Sequence, residues 1–530
     1  MSGYISRRGL LLSGAGAGLA TALPTTSFAR AGARDALDGF DVTAKAFLAA
    51  FGTPGVGIGV VRPGKPDFMR GYGVRTLGKP APIDADTLFA VASNTKAMTS
   101  AGLAVLVDQG KLSWDDLVTK HLPEFAMYDP DTTRVMTVRD LLTHRSGLPL
   151  GAGDLMIWPG TTHTRAEVLH GLRYLKPVRG FRVGYDYDNV LYVTAGILIE
   201  RLSGKSWEDY ITQTILRPSG MATAVPAPSM VTNPNQSGRH ARLGGPIYGI
   251  GEMTVVPRQE TDSFAPAGGC QASVRDMLSW MKVQLARGKA ADGHQIFSKE
   301  QADAMWAPQT IVRTSDGPTP DEPGRALFNT YALGWNVFDY RGEKVIAHSG
   351  GMNGQITYSV MIPGRGVAIS VLTNAEEGAV LNGLRNTLLD RMMGKSFDWL
   401  TYWKKLDRKN KAQALADLHA AETTRPAGGP TQPLDRYVGT YADPWYGPIE
   451  VNRRGDGLYL RMVKTPAFEG PLETWGPDTF VARFNDPKVE IPIVTFRMQD
   501  GHVAEITMKA LSPLADFSYD FHHLDFTPVR

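Results

Sequence analysis

Ser93 and Lys96 stand three residues apart in the stretch Phe89-Ala90-Val91-Ala92-Ser93-Asn94-Thr95-Lys96-Ala97-Met98. At that spacing two side chains share a helix face about one turn apart, so the amine can reach the hydroxyl. A serine hydroxyl is a weak nucleophile until a neighbouring base takes its proton, and a helix start favours the negative charge that develops. The pair also fits a plainer reading, a capping serine followed by a solvated lysine. Two later groups bear on the choice: Tyr185-Asp186-Tyr187-Asp188-Asn189, just before an apolar helical pattern, and His348-Ser349-Gly350-Gly351 at the end of a strand pattern. Tyr187 supplies a phenol whose ionisation a nearby lysine cation would ease. Asn189 supplies an amide donor and acceptor, and His348 a pH-dependent cation and hydrogen-bond donor.

Helices and strands have to bring these groups together. Residues after Lys96 have apolar side chains at three- and four-residue steps, and Gln109-Gly110 gives a helix stop. An amphipathic helix is predicted over 35–50, and a hairpin from Gly55–Val61 and Phe68–Val74 about the turn Pro63-Gly64-Lys65-Pro66. Residues 97–300 read as mostly helical, with a capped short helix at Thr137–His144 and helices at Val190–Leu202 and Ser273–Leu285. Strands are predicted at Ala332–Phe338, Lys344–Gly350, Gln355–Ile362 and Val367–Asn374. Strands from both ends of this region thus flank a helical insertion, which suits an α+β fold: an antiparallel sheet flanked by helices, with a helical subdomain. A polar helix over 401–422 and the linker Thr423–Pro433 follow. Short alternating strands at 437–441, 449–452, 458–462, 479–484, 493–498 and 504–509 predict a small C-terminal β-barrel or sandwich.

Taken in order, Ser93-x-x-Lys96, Tyr187-x-Asn189 and His348-Ser349-Gly350 resemble the three motifs of the serine β-lactamase and penicillin-binding-protein superfamily. The tyrosine in the second motif resembles the class C-type branch, which includes D-stereospecific peptidases, esterases and related amide hydrolases. The resemblance spans roughly 35–395 and takes in Leu141–Pro149, Gly268-Gly269, Leu333-Gly334-Trp335 and Leu372-Thr373-Asn374. It implies a β-lactamase/transpeptidase-like fold with Ser93 as nucleophile and Lys96 and Tyr187 sharing the proton work. The backbone N–H groups of Ser93 and Gly351 would form the oxyanion hole, and Asn189, His348, Ser349 and Gly350 would bind substrate. Gly350 and Gly351 would leave room for a substrate against the strand. Lysine is common where this chain has His348, and the departure tilts the expectation from a dedicated β-lactamase towards a peptidase, amidase or esterase. The expected substrate is a small peptide, amide or ester, plausibly containing a D-amino acid. A carboxylesterase or β-lactamase is the near alternative. A non-hydrolytic binder of penicillin or cell-wall peptides is the distant one. No metal or organic cofactor is implied.

The chain has 530 residues, 56 Lys+Arg against 53 Asp+Glu and one cysteine. Near-balanced charge without a basic tract argues against nucleic acid as a partner. A single cysteine excludes an intrachain disulfide, and Cys270 reads as a small buried residue. His144 reads as structural, packing a helix end. His522-His523, read as strand neighbours on opposite faces, argue against a metal pair. The N-terminal Ser6-Arg7-Arg8-Gly9-Leu10-Leu11-Leu12, with cleavage candidates near Ala29 and Ala31, reads as a twin-arginine signal over 1–31. Export to the periplasm is the expectation, with no transmembrane anchor after cleavage. The expected domains are then 32–400, the helix and linker 401–433, and 434–530.

Overall fold

The structure, a computed structural model, describes residues Asp35–Val529. The twin-arginine run and both cleavage candidates lie outside them. Asp35–Asp38 form a short turn, with the Asp38 amide donating to the Asp35 carbonyl at 2.9 Å. From Gly39 onward the chain forms one compact unit.

Its frame is an antiparallel sheet of eight strands among the described residues: β1 (Gly55–Val61), β2 (Phe68–Gly73), β3 (Thr310–Thr314), β4 (Phe328–Tyr331), β5 (Asn336–Tyr340), β6 (Glu343–Met352), β7 (Gln355–Ile362) and β8 (Val367–Thr373). The spatial order is β2-β1-β8-β7-β6-β5-β4-β3. The predicted hairpin therefore sits beside the last strand, with Ile58 opposite Val371. Val56, Ile58 and Val60 of β1 alternate with Gly57 and Gly59, and all five are buried. The helix α4 (Val274–Leu285) explains the glycines. A Cβ on Gly57 would stand 2.7 Å from a Val274 methyl, and one on Gly59 2.8 Å from Leu278 Cγ. The small residues let this helix lie directly on the strand. On the chain's other flank α1 (Phe40–Phe51) packs against α5 (Gly378–Met392), which rests on β8.

The helical subdomain lies between β2 and β3 and is built around α2 (Thr95–Asp108) and α3 (Val190–Ser203). Every α2 residue from Thr95 to Leu106 is buried, so the helix is a core element rather than an amphipathic one. Gly204 ends α3 in the left-handed conformation, as its position predicts. The insertion is less helical than expected. It also holds a hairpin of Arg239–Gly244 with Gly251–Val256, whose charged and glycine-rich sequence lacks the alternation of a strand. Strands β3 and β4 were hidden for a related reason, being short, polar and partly exposed at the sheet edge. The strand predicted over Ala332–Phe338 begins only at Asn336. Before it, Leu333-Gly334-Trp335 makes a turn closed by the Ala332 amide on the Trp335 carbonyl at 2.7 Å, with Gly334 at φ 80°. That turn presses on α2, for a Cβ on Gly334 would meet the Lys96 carbonyl at 2.9 Å.

A long helix, α6 (Trp399–Thr423), leads to the second sheet. No helix of the described residues is long and apolar enough to cross a membrane. The C-terminal part is a closed antiparallel barrel: β9 (Gly439–Asp443), β10 (Gly447–Arg454), β11 (Gly457–Met462), β12 (Glu469–Gly476), β13 (Thr479–Ala482), β14 (Pro492–Gln499), β15 (His502–Ala510) and β16 (Asp525–Pro528). Pairing of β16 with β9 closes it, as Ala442 faces Thr527. Strands β12 and β16 were not legible, β12 because Gly470, Pro471 and Gly476 interrupt its pattern. His522 and His523 lie in a short 3₁₀ turn, not a strand, with ring centroids 3.9 Å apart. Among the described residues no cluster of three or more His, Cys, Asp or Glu could hold a metal ion.

Candidate active site

Ser93 sits in a 3₁₀ turn, Ala92–Asn94, that runs directly into α2. Ala92 adopts φ 47°, a left-handed conformation uncommon for a residue with a Cβ and one that persists only where surroundings impose it. They do so here. Gln355 on β7 accepts the Ala90 amide at 2.8 Å, and Asn94 donates to the Val91 carbonyl at 2.9 Å and to Thr357 Oγ1 at 3.0 Å. The serine is thus fixed to the central sheet by its neighbours.

Lys96 is completely buried, which excludes the solvated-lysine reading. Its Nζ lies 2.9 Å from Ser93 Oγ, 2.7 Å from Asn189 Oδ1 and 2.8 Å from the Ala267 carbonyl. The last two partners only accept. A neutral amine has two N–H bonds for them and one lone pair left for the Ser93 proton. Burial lowers the Lys96 pKa to about 7, against the pull of the buried Asp154 carboxyl, so the neutral form is well populated near neutrality. Tyr187 is half-buried, hydrogen-bonded to Ser93, and its ring centroid lies 4.8 Å from Lys96 Nζ. Burial drives its pKa well above the usual phenol value despite that hydrogen bond. The expected easing of its ionisation by the lysine is outweighed, and the resting phenol keeps its proton.

Asn189 joins these groups to a carboxyl that sequence patterns did not reveal. Its Nδ2 donates to Asp154 Oδ2 at 2.8 Å, and Ser518 Oγ of the barrel donates to the same oxygen at 2.8 Å. Burial, helped by nearby Asp520, raises the Asp154 pKa well above the carboxylate range. The loop bearing Tyr187 is held from beneath by His144, whose Nδ1 accepts the Asp188 amide at 3.0 Å and whose ring centroid lies 4.1 Å from that of Tyr187. Cys270 is buried and its thiol is pushed up to about 12 by burial.

His348 does not supply the expected cation. Burial, with Lys96 adding to it, lowers its pKa to about 3. Its Nδ1 lies 2.6 Å from the Ser349 carbonyl, so that nitrogen is the donor, and Nε2, 2.9 Å from the Tyr331 hydroxyl, accepts. Ser93, Tyr187, Asn189, His348, Ser349 and Gly351 border one cavity of about 670 Å³. Gly350 does not border it, which corrects the expected substrate-binding role. A Cβ there would lie 2.2 Å from the Val91 carbonyl and 2.6 Å from Thr357 Oγ1. Its missing side chain serves the contact between β6 and the Ser93 turn, whereas a Cβ on Gly351 meets nothing within 4 Å. Gly350→Ala is therefore expected to lower stability by about 1–3 kcal/mol and Gly351→Ala by much less, as read by thermal denaturation. Equal losses would refute the contrast.

The barrel completes the cavity. Its segment between β15 and β16 runs back over the hydrolase-like part, where Asp520 accepts the Gly153 and Leu155 amides at 2.7 and 3.2 Å. Phe517 packs edge-on against Tyr187 at 5.7 Å.

Comparison with known proteins agrees with this geometry. A family model described as Beta-lactamase matches residues 40–391, and one described as Domain of unknown function (DUF3471) matches residues 423–528. Unguisins hydrolase ungD' of Aspergillus campestris is 28% identical over 418 residues, covering 75% of this chain and 74% of its own. The octameric penicillin-binding protein homologue from Pyrococcus abyssi superposes with a TM-score of 0.55 at 23% identity, over 89% of this chain and 97% of that one. D-amino acid amidase from Ochrobactrum anthropi SV3, complexed with D-phenylalanine, does so with a TM-score of 0.53 at 22% identity, over 67% and 98%. The two structures share the fold. Since the first family model spans about two thirds of the chain and encloses all three motifs, the protein belongs to the β-lactamase family and is a serine hydrolase.

Proposed function

We propose that this hydrolase cleaves small peptide, amide or ester substrates, including ones with a D-amino acid residue, through an acyl-enzyme on Ser93. The observation that carries the reading is the environment of Lys96, with two acceptors occupying its N–H bonds and the Ser93 hydroxyl facing its lone pair. Lys96 takes the Ser93 proton as Oγ bonds to the substrate carbonyl carbon, and the N–H groups of Ser93 and Gly351 stabilise the oxyanion. Tyr187 gives its proton to the leaving amine or alcohol as that bond breaks, and the proton on Lys96 restores the phenol. Water then attacks the ester, losing its proton to Lys96, and Ser93 leaves with a proton returned from the pair.

The neutral His348 offers no charge to a substrate carboxylate, which favours an amidase, peptidase or esterase over a dedicated β-lactamase. The likeness to unguisins hydrolase fits amide cleavage, and the fold shared with D-amino acid amidase fits a D residue. A panel of D- and L-aminoacyl p-nitroanilides, p-nitrophenyl esters and nitrocefin tests the reading. The D-aminoacyl anilides are expected to turn over faster than nitrocefin, with the acyl mass on the Ser93 peptide. A benzylpenicillin adduct on Ser93 that persists for hours, with no turnover across the panel, would assign a binder instead. The twin-arginine run supports, as part of the same proposal, a periplasmic location for this activity, and fractionation of expressing cells tests it.

A further inference from the structure

The end of the cavity formed with the barrel is acidic. Glu376 follows β8, Glu490 precedes β14 and Asp516 lies in the segment between β15 and β16, and all three border the cavity that holds Ser93. Glu490 is only 2% exposed, yet its Oε1 has no hydrogen-bond partner. Glu376 accepts the Gly354 amide and, at 3.1 Å, the Tyr248 hydroxyl. Asp516 is an exposed residue, yet its carboxyl lies deep enough among its neighbours for burial to raise its pKa. Among the described residues bordering the cavity there is no Lys or Arg. The Arg239 charge is felt at Glu376, but its guanidinium is engaged by the buried Glu260. A buried, unpaired carboxyl oxygen is costly unless something else satisfies it.

We propose that Glu376, Glu490 and Asp516 form a cation subsite spanning the two domains, which receives a primary ammonium group of the substrate. This rests on the hydrolase reading above and narrows its substrate class to amine-bearing amides or esters. The electrostatics fit. Burial holds Glu376 at about 7, and burial with the charges of Glu376 and Asp516 holds Glu490 at about 8. The free site therefore keeps protons that an arriving ammonium displaces. The other groups facing these carboxyls, Tyr248 and Tyr519, are phenols driven far up by burial and by the same acids, and they stay neutral.

Calorimetric titration of the full-length Ser93→Ala protein tests the subsite without turnover. The probes are D-alanine amide, with an α-ammonium, Nα-acetyl-D-lysine amide, with a side-chain ammonium, and neutral N-acetyl-D-alanine amide. At least one ammonium probe is expected to bind tenfold or more tightly than the neutral one. Its binding heat at pH 7 should vary with the ionisation enthalpy of the buffer, reporting proton release. Adding Glu490→Gln should remove most of the preference and of the release. Asp516→Asn, at an exposed position that does not threaten folding, should reduce the preference at least threefold. No preference for either ammonium, or a preference that survives both substitutions, would overturn the subsite. Because the readout is binding, such a failure leaves acylation of Ser93 in the wild type intact, while an unreactive Ser93 would sink the hydrolase reading and not this one.

Discussion

Ser93→Ala abolishes turnover of every substrate in the panel, by at least about a thousandfold, the scale seen when a nucleophile is removed from a catalytic group that acts as a unit. The expectation rests on geometry. Lys96 Nζ has one partner that can lose a proton, and that is Ser93 Oγ. The other two are a side-chain carbonyl and a main-chain carbonyl. Without the hydroxyl, no other serine takes its place, for Ser349 borders the cavity from β6 and Ser518 is spent on Asp154. The fold should survive. The turn is held by Gln355, Asn94 and Thr357, none of which contacts the Ser93 hydroxyl. Circular dichroism and the melting curve should overlay those of the wild type, and no acyl mass should appear after incubation with substrate. Turnover within tenfold of wild type would exclude this nucleophile.

The parts legible in the chain were those fixed by local chemistry. Strand β1, the glycine stop of α3, the span of α4, and the spacing of Ser93 and Lys96 follow from propensity and period, which act over a few residues. Thus Ser273 and Asp276 form a capping box at the start of α4 that four residues suffice to specify. What could not be read depends on partners far along the chain. His348 looks like a titrating imidazole until Tyr331 and the lysine are placed around it. Gly350 looks like a substrate-facing glycine until the Val91 carbonyl is seen against it. Asp154 carries no motif; it matters because Asn189 and Ser518, 35 and 364 residues further along the chain, converge on one of its oxygens. The role of the barrel was invisible for the same reason. Its alternating strands announce a β domain, but nothing in Leu514-Ala515-Asp516-Phe517-Ser518 says that this segment returns to Tyr187.

Lys96→Met lowers kcat/KM by at least about a hundredfold, the usual scale for a proton-transfer group, and also erases a pH dependence, which separates a base from a merely structural lysine. In the wild type kcat/KM should rise with pH about a midpoint near 7 as the buried amine loses its proton. Glu376 titrates in the same range within the cavity, so a neutral ester is the substrate to use, one that draws nothing from the acidic end. Stability gives the second readout. An unfolded lysine holds its proton to about 10.4, whereas the folded Lys96 gives it up near 7. Between about pH 7.5 and 9.5 the unfolded chain binds the extra proton, so this group makes stability rise with pH, by up to about 1.4 kcal/mol per pH unit. Below pH 7 both states are protonated and the cost of burying the charge is fully present. The stability difference between wild type and Lys96→Met, measured by urea denaturation, should therefore shift in favour of the wild type as pH climbs through that window. Loss of activity with the rising limb retained would move the base from Lys96 to another group. A stability difference flat with pH would mean that the amine is charged in the folded protein, and a charged amine has no lone pair to offer Ser93.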